Sequence, residues 1–335
     1  KKLGWKMPKN KNHFCILGAG AIGGLIAAHL CKSGYPVSCI ARGSTYSRLL
    51  SEGITVLKDT TEIHVKPKIF KIDDIIPKID YLFVTIKANS LPLIAKAIPN
   101  LITKNTTIIT GMNGIPHWYF DGLSSDYGNK RINSVDPNGI VSEGLPPDRI
   151  IGSVIYPAAE LKHAGLIYHK SGNKITLGEP DGCTTDRITK LSLALTNSGF
   201  RAPIRKNIRD EIWIKLMGNV AFNPLSALTG GTLAEICRNK ETRDIAADIM
   251  REAKEIGEKL GASFPITIEK RIKGAEAVGD HKTSMLQDLE ARRPLEIDAI
   301  VTAVQELGKI TNTPTRILDL ISSLLNQKIE LLGLK

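Results

Sequence analysis

His13-Phe14-Cys15-Ile16-Leu17-Gly18-Ala19-Gly20-Ala21-Ile22-Gly23 decides the fold, because a short apolar run meets Gly-x-Gly-x-x-Gly with nothing between them. The apolar run reads as a buried parallel strand, and Ala21 to Lys32 carries apolar residues at helical spacing (Ile22, Leu25, Ile26, Leu30). Gly34 is placed where a left-handed cap would close that helix, and Pro36 to Ala41 reads as a second apolar strand. Strand, helix and strand in about thirty residues make a βαβ unit with a right-handed crossover. In that setting the glycines have separate tasks. Gly18 permits the tight turn, Gly20 lets the backbone approach a pyrophosphate, and Gly23 lets helix and strand pack closely, while the helix start offers N–H groups to an anion. Gly18, Ala19, Gly20, Ala21, Ile22 and Gly23 are therefore candidate dinucleotide-binding residues. The plainer alternative is a tight turn with no ligand.

Strand two ends Cys39-Ile40-Ala41-Arg42-Gly43-Ser44, without the carboxylate that would hold an unphosphorylated ribose. Arg42 can clamp a 2′-phosphate there, with Ser44 or Thr45 adding a hydroxyl, so the expected cofactor is NADP(H). Further strands are expected at Tyr81 to Ile86 and Thr106 to Thr110. Lys87 and Asn113 stand just past them, at the sheet edge where open α/β folds hold ligands. Asn113-Gly114 is equally a common turn dipeptide.

Between Ile150 and Leu177 the signals change to short β segments (Ile150 to Tyr156, Leu166 to His169, Lys174 to Leu177), read as added strands with antiparallel pairing. Beyond about Arg205 the periodicity is helical almost to the end, through Asp210 to Asn223, Thr242 to Leu260, Ile266 to Ala277 and Leu295 to Leu307. The expected organisation is a basic flexible tail (1–11), a Rossmann-type α/β domain (12–205) with a doubly wound, mainly parallel sheet and added antiparallel strands, and an all-α C-terminal domain (206–335).

The 335 residues suit two domains, and 42% hydrophobic with 24% charged excludes a chain that is mainly disordered. No apolar run is long enough for a membrane helix and no signal-peptide pattern follows the lysines of the first eleven residues, so a soluble, cytoplasmic protein is expected. Five cysteines without a Cys-x-x-Cys pair and seven histidines without ligand spacing point away from disulfides and metal. The net charge of +11 suits anionic small molecules; without a basic aromatic stripe or helix-turn-helix pattern, no nucleic-acid partner is expected. A homodimer is left open.

The helix after Asn207 carries Lys215, Asn219 and Asn223 at i, i+4 and i+8, one polar stripe with apolar shoulders made by Ile212, Leu216, Val220 and Phe222. Such a stripe fits a lysine and two amides aimed into a cleft, where a ketone and a carboxylate are held and protonated; an interdomain polar seam is the plainer alternative. Pro224 is expected to end or kink this helix at Asn223. Spacing alone makes Glu296 a first-turn helix decoration and gives Ser284 no role.

These residues resemble the ketopantoate reductase family over nearly the whole chain. The resemblance rests on Gly18 to Gly23, Thr85-Ile86-Lys87-Ala88, Asn113-Gly114, the run from Asn207 through Lys215 and Asn219 to Asn223-Pro224-Leu225, Ser284-Met285-Leu286-Gln287-Asp288 and Glu296-Ile297-Asp298. It implies NADPH-dependent reduction of a 2-oxo acid, 2-dehydropantoate (ketopantoate) to pantoate in pantothenate and coenzyme A synthesis, in a cleft between the two domains. It implies that Lys215 donates the proton, that Asn219, Asn223 and Ser284 bind substrate, and that Asn113 touches substrate and cofactor together. Arg42, Lys87, Ala158 and Glu296 are implied as cofactor contacts. The chain departs from the family pattern at Ile115-Pro116-His117-Trp118-Tyr119-Phe120, expected beside the substrate site. Reduction of another 2-oxo acid, or a non-catalytic NADP(H)-sensing role, are the alternatives.

Overall fold

The computed structural model describes residues 11–123, 126–128 and 130–334. The tail expected at 1–11 lies outside the described residues except for Lys11. That ammonium donates to the Gly34 carbonyl at 3.1 Å and sits 5.2 Å from the Tyr35 ring centroid.

The first unit holds the described residues through Met112, then Asp121–Leu123 and Ile140–Ile208. Its strands are β1 (Phe14–Leu17), β2 (Val37–Ile40), β3 (Ile54–Lys58), β4 (Thr61–Val65), β5 (Lys68–Phe70), β6 (Tyr81–Val84), β7 (Thr107–Thr110), β8 (Ile150–Ile155), β9 (Ala158–His163), β10 (Leu166–Ser171) and β11 (Ile175–Gly178). Its helices are α1 (Ala21–Lys32), α2 (Gly43–Glu52), α3 (Leu91–Ile94), α4 (Ile140–Gly144) and α5 (Asp186–Asn197). Seven strands form one sheet in the order β11-β8-β7-β6-β1-β2-β5, parallel except for β11. β1, β2, β6 and β7 are buried at every position, as strands covered on both faces must be, and they read as unbroken apolar runs for that reason.

The late strands behave differently from the antiparallel additions expected. β8 joins β7 in parallel and only its other edge, on β11, is antiparallel. β10 leaves that sheet for a second one of four strands, ordered β4-β3-β10-β9, in which it runs parallel to β3 and antiparallel to β9. The second sheet covers the outer side of α1, where Ile167 of β10 fills the space over Gly24. That cover explains why α1 (AIGGLIAAHLCK) is buried from Gly23 to Ala28 with so little polar surface.

The second unit holds Asn113–Phe120, the described residues from there to Gly139 that the first unit does not claim, and the chain from Arg209 onward. From Arg209 on it is helical: α6 (Ile208–Thr229), α7 (Leu233–Arg238), α8 (Lys240–Lys259), α9 (Ile268–Ala277), α10 (Ser284–Glu290), a π-helical turn (Asp298–Thr302) running into α11 (Ala303–Ile310), and α12 (Arg316–Leu331). The sequence suggested one cut at 205/206; in the structure the late seam falls at Ile208/Arg209, and segments far upstream also pack with the helices. Local periodicity carries no trace of that exchange, because it is made by contacts about ninety residues apart, such as the Arg209 Nε donation to the Tyr119 carbonyl at 2.8 Å.

Pro224 does not end α6. The helix continues to Thr229, although proline removes one N–H from the ladder. Buried Leu225, Ser226 and Ala227 hold the last turn in the core, and Lys328 donates to the Ala227 and Leu228 carbonyls at 2.7 and 3.0 Å, covering the negative end of the helix. Among the described residues no helix is long and apolar enough to cross a membrane.

Candidate active site

In the first unit the sheet order changes direction at β1, which lies between β6 and β2. The glycine turn leaves the C-terminal end of β1, with Lys87 beyond β6 on one side and Arg42 beyond β2 on the other. Gly18 takes φ +102°, a conformation closed to most side chains, and a Cβ there would sit 2.6 Å from Ile86 Cγ2. At Gly23 a Cβ would collide with the Gly18 carbonyl and the Thr85 hydroxyl. Gly20 is the contrast: a Cβ there would meet nothing within 4 Å, so this backbone faces open space. Thr85 pins the turn by donating to the Gly18 carbonyl at 2.9 Å, a role that sequence reading did not assign to it.

α1 begins at Gly20 with no side-chain cap and no acid in its first turn. α2 begins at Arg42 in the same way, with Arg42, Gly43 and Ser44 exposed and Thr45 half-buried. Two bare helix starts at neighbouring strand ends, one facing open space and one carrying a guanidinium, make a cradle suited to a pyrophosphate and a second phosphate. A nicotinamide dinucleotide fits these residues. Ala19 is buried, Ala21 and Ile22 are half-buried at the helix start, and Lys87 is half-buried at the head of a short 3-10 turn. Ala158 lies at the start of β9 in the second sheet, paired with Ser171.

In the second unit Lys215, Asn219 and Asn223 follow one face of α6. The Lys215 ammonium donates to Asn113 Oδ1 at 2.8 Å, joining residues 102 apart. An ammonium requires the amide oxygen, so the amide nitrogen of Asn113 is turned the other way as a donor. Burial pushes the Lys215 amine down to about 8; the Glu296 carboxylate opposes that shift and the Arg271 guanidinium adds to it. Asn223 is 5% exposed, and its buried Nδ2 has no hydrogen-bond partner. A buried donor left unmatched in this way is costly unless a ligand supplies the acceptor.

Asn113 is held from behind. Gly114 takes φ +90°, and a Cβ there would strike the Ala299 backbone, whose carbonyl carbon would be 2.5 Å away. Ile115 N donates to the Ala299 carbonyl at 2.8 Å, inside the π-helical turn. π turns loosen the regular ladder and recur at functional sites. The aromatic segment that follows, expected beside the substrate, is packed into the helical core: Trp118, Tyr119 and Phe120 are 1%, 0% and 3% exposed. Trp213 Nε1 donates to Tyr119 Oη at 2.7 Å, and the Arg209 guanidinium lies 5.8 Å from the Trp118 ring and 5.6 Å from the Tyr119 ring.

Glu296 is half-buried and precedes the helical run that starts at Ile297, so it is not a first-turn residue. Ser284 is exposed at the first position of α10, after Thr283 has capped that helix by accepting from Leu286 N. The residue that sequence reading missed is Arg271, on α9. A glycine at position 218, inside the polar stripe of a long helix, was the available signal for something approaching the backbone closely.

Two family profiles match the chain: "Ketopantoate reductase PanE/ApbA" over residues 14–182 and "Ketopantoate reductase PanE/ApbA C terminal" over 207–329. A curated 2-dehydropantoate 2-reductase from Mesorhizobium japonicum is 44% identical over 313 residues, covering 93% of this chain and 96% of that one. A crystal structure of a candidate ketopantoate reductase from Ralstonia solanacearum MolK2 superposes with a TM-score of 0.92 at 32% identity, covering 97% of this chain and 99% of that one. A ternary structure of D-mandelate dehydrogenase with NADH and anilino(oxo)acetate shares the fold at a TM-score of 0.83 and 22% identity, covering 96% and 100%.

Proposed function

The chain belongs to the ketopantoate reductase family, and on that premise we propose that it is an oxidoreductase reducing 2-dehydropantoate to pantoate with NADPH. The observation that carries this reading is the Lys215–Asn113 pair on α6, an ammonium fixed by an amide and poised near neutrality, beside the unmatched buried donor of Asn223. The nicotinamide, when bound, supplies the hydride. Lys215 holds the proton. As the keto carbon gains hydride, the carbonyl π bond becomes a lone pair on oxygen; the ammonium gives that oxygen a proton, the alcohol forms, and the neutral amine recovers its proton from solvent.

The other residues bind and orient. Asn113 keeps the ammonium on one line and presents its amide nitrogen; Asn219 and Asn223 offer donors to the remaining oxygens of the acid, and Ser284 a hydroxyl. The Glu296 carboxylate favours the charged form of Lys215, which is the form a proton donor needs. The backbone of Gly18, Ala19, Gly20, Ala21, Ile22 and Gly23 holds the pyrophosphate, with Lys87 and Ala158 as further contacts and Glu296 near the nicotinamide end. Arg42 selects the 2′-phosphate, which makes NADPH the preferred coenzyme, unlike the NADH found in the D-mandelate dehydrogenase complex. The reaction would place the enzyme in pantothenate and coenzyme A synthesis.

The test is NADPH oxidation followed by absorbance with 2-dehydropantoate beside a panel of other 2-oxo acids, for the native protein and Lys215→Ala. Turnover of 2-dehydropantoate that collapses in the variant establishes the reading. A protein that binds NADPH and turns over a different oxo acid keeps the reaction type and loses the named substrate.

A further inference from the structure

Gly218 stands on α6 three residues after Lys215 and one before Asn219, so it shares the surface of the polar stripe. Its missing side chain is replaced by the guanidinium of Arg271, from α9: a Cβ at 218 would lie 2.8 Å from Arg271 Cζ and 2.9 Å from Nε, with Nη2 nearer still. Glycine inside a helix costs about 1 kcal/mol relative to alanine, and here it leaves room for that group. A second cation is thus laid against the helix at Gly218, near enough to act on the Lys215 amine. The Glu296 carboxylate acts on Lys215 as well, and a guanidinium set among these groups suits a substrate that brings its own negative charge.

In a 2-oxo acid the carboxylate is bonded directly to the keto carbon. A site that delivers a proton to the keto oxygen must therefore also accommodate the carboxylate one bond away. A guanidinium can meet two carboxylate oxygens at once, which an ammonium cannot, and it stays charged while Lys215 changes its protonation. We propose that Arg271 binds the carboxylate of the 2-oxo acid, with Gly218 as the space that admits its guanidinium to the Lys215–Asn219 surface. This inference rests on the reductase reading above. It also gives the depressed Lys215 a use: the bound carboxylate offsets the repulsion from Arg271, so substrate arrival raises the proton affinity of the group that must donate.

The experiment compares the native enzyme, Arg271→Met, Arg271→Lys and Gly218→Ala on 2-dehydropantoate and on its uncharged carboxamide. Gly218→Ala keeps Arg271 in place chemically while its Cβ displaces the guanidinium, and an unfolding midpoint measured on each variant separates a folding defect from lost binding. The expected result is a KM for the acid raised by about 10- to 100-fold in Arg271→Met, the worth of a charge-assisted hydrogen bond. Gly218→Ala should move in the same direction, Arg271→Lys should recover part of the loss, and carboxamide kinetics should change little. Equal losses on acid and amide would assign Arg271 a structural role and overturn the proposal. A shift in the pH profile with an unchanged KM for the acid would overturn it too, reducing Arg271 to a neighbour of Lys215. Calorimetric binding of pantoate with NADP+ separates the two readings: binding lost in Arg271→Met supports the arginine even without turnover, whereas failure of the native protein to bind or reduce any oxo acid sinks the reductase reading and this inference with it.

Discussion

In the proposed reaction the chemistry turns on Lys215, and its setting makes pH a direct probe. Burial lowers its amine to about 8 while Glu296 pulls the other way. Reduction needs the ammonium, so kcat/KM should hold below pH 8 and fall about tenfold per unit above it. Removing the opposing carboxylate in Glu296→Gln lowers the amine further, and the break should move to lower pH; a break that stays or rises would show that Glu296 does not act on Lys215. Arg42 makes a separate prediction. Its guanidinium is exposed at the start of α2, where the proposed binding mode would put the 2′-phosphate that distinguishes the two coenzymes. Arg42→Ala should raise the KM for NADPH by about tenfold or more and leave that for NADH nearly unchanged, in steady-state titrations of each.

At the scale of elements, the fold places Asn113 through a turn that tolerates only glycine. Gly114→Ala must strain φ +90° and push into the Ala299 backbone, so it should cost about 1–3 kcal/mol in denaturant unfolding and also lower kcat by freeing Asn113 from Lys215. An unchanged kcat in a folded Gly114→Ala would remove the turn from the mechanism. Much of this was legible in the chain. The glycine turn, the place of Arg42 just after strand two and the helical stripe of Lys215, Asn219 and Asn223 follow from period and spacing, because each is a local pattern. The docking of Asn113-Gly114-Ile115 onto a π turn was not legible, since its partner Ala299 lies far along the chain and π turns have no spacing signature. Pro224 misled only as a helix end: propensity marks it as a breaker, while the buried turn after it and the Lys328 cap are tertiary. The second sheet was missed because β3, β4 and β9 alternate or carry charge, and only α1's apolar circumference hinted at a cover.

At the scale of the molecule, a buried histidine ties the stability of one of the two units to pH. In the first, His13 is fully buried, with Nε2 at 2.9 Å from Ser38 Oγ and Nδ1 at 2.9 Å from the Lys78 carbonyl, and burial holds its imidazole below the usual value of 6.5. The unfolded chain therefore takes up the proton first, so stability present above pH 6.5 should be lost as pH falls below it. Urea midpoints at pH 7 and pH 5 should show this drop, and His13→Asn should shrink it. The proposed cofactor would act on the same unit in the opposite sense: NADPH at a hundredfold its Kd should add about 2.7 kcal/mol to folding. The reaction as a whole is tested most directly by the pH dependence of both directions, 2-dehydropantoate reduction and pantoate oxidation, in the native enzyme and Lys215→Ala. The two limbs should have opposite slopes and meet near pH 8, reduction falling and oxidation rising, and both should be lost in the variant. Native-like turnover by Lys215→Ala, or two limbs indifferent to pH around 8, would contradict this.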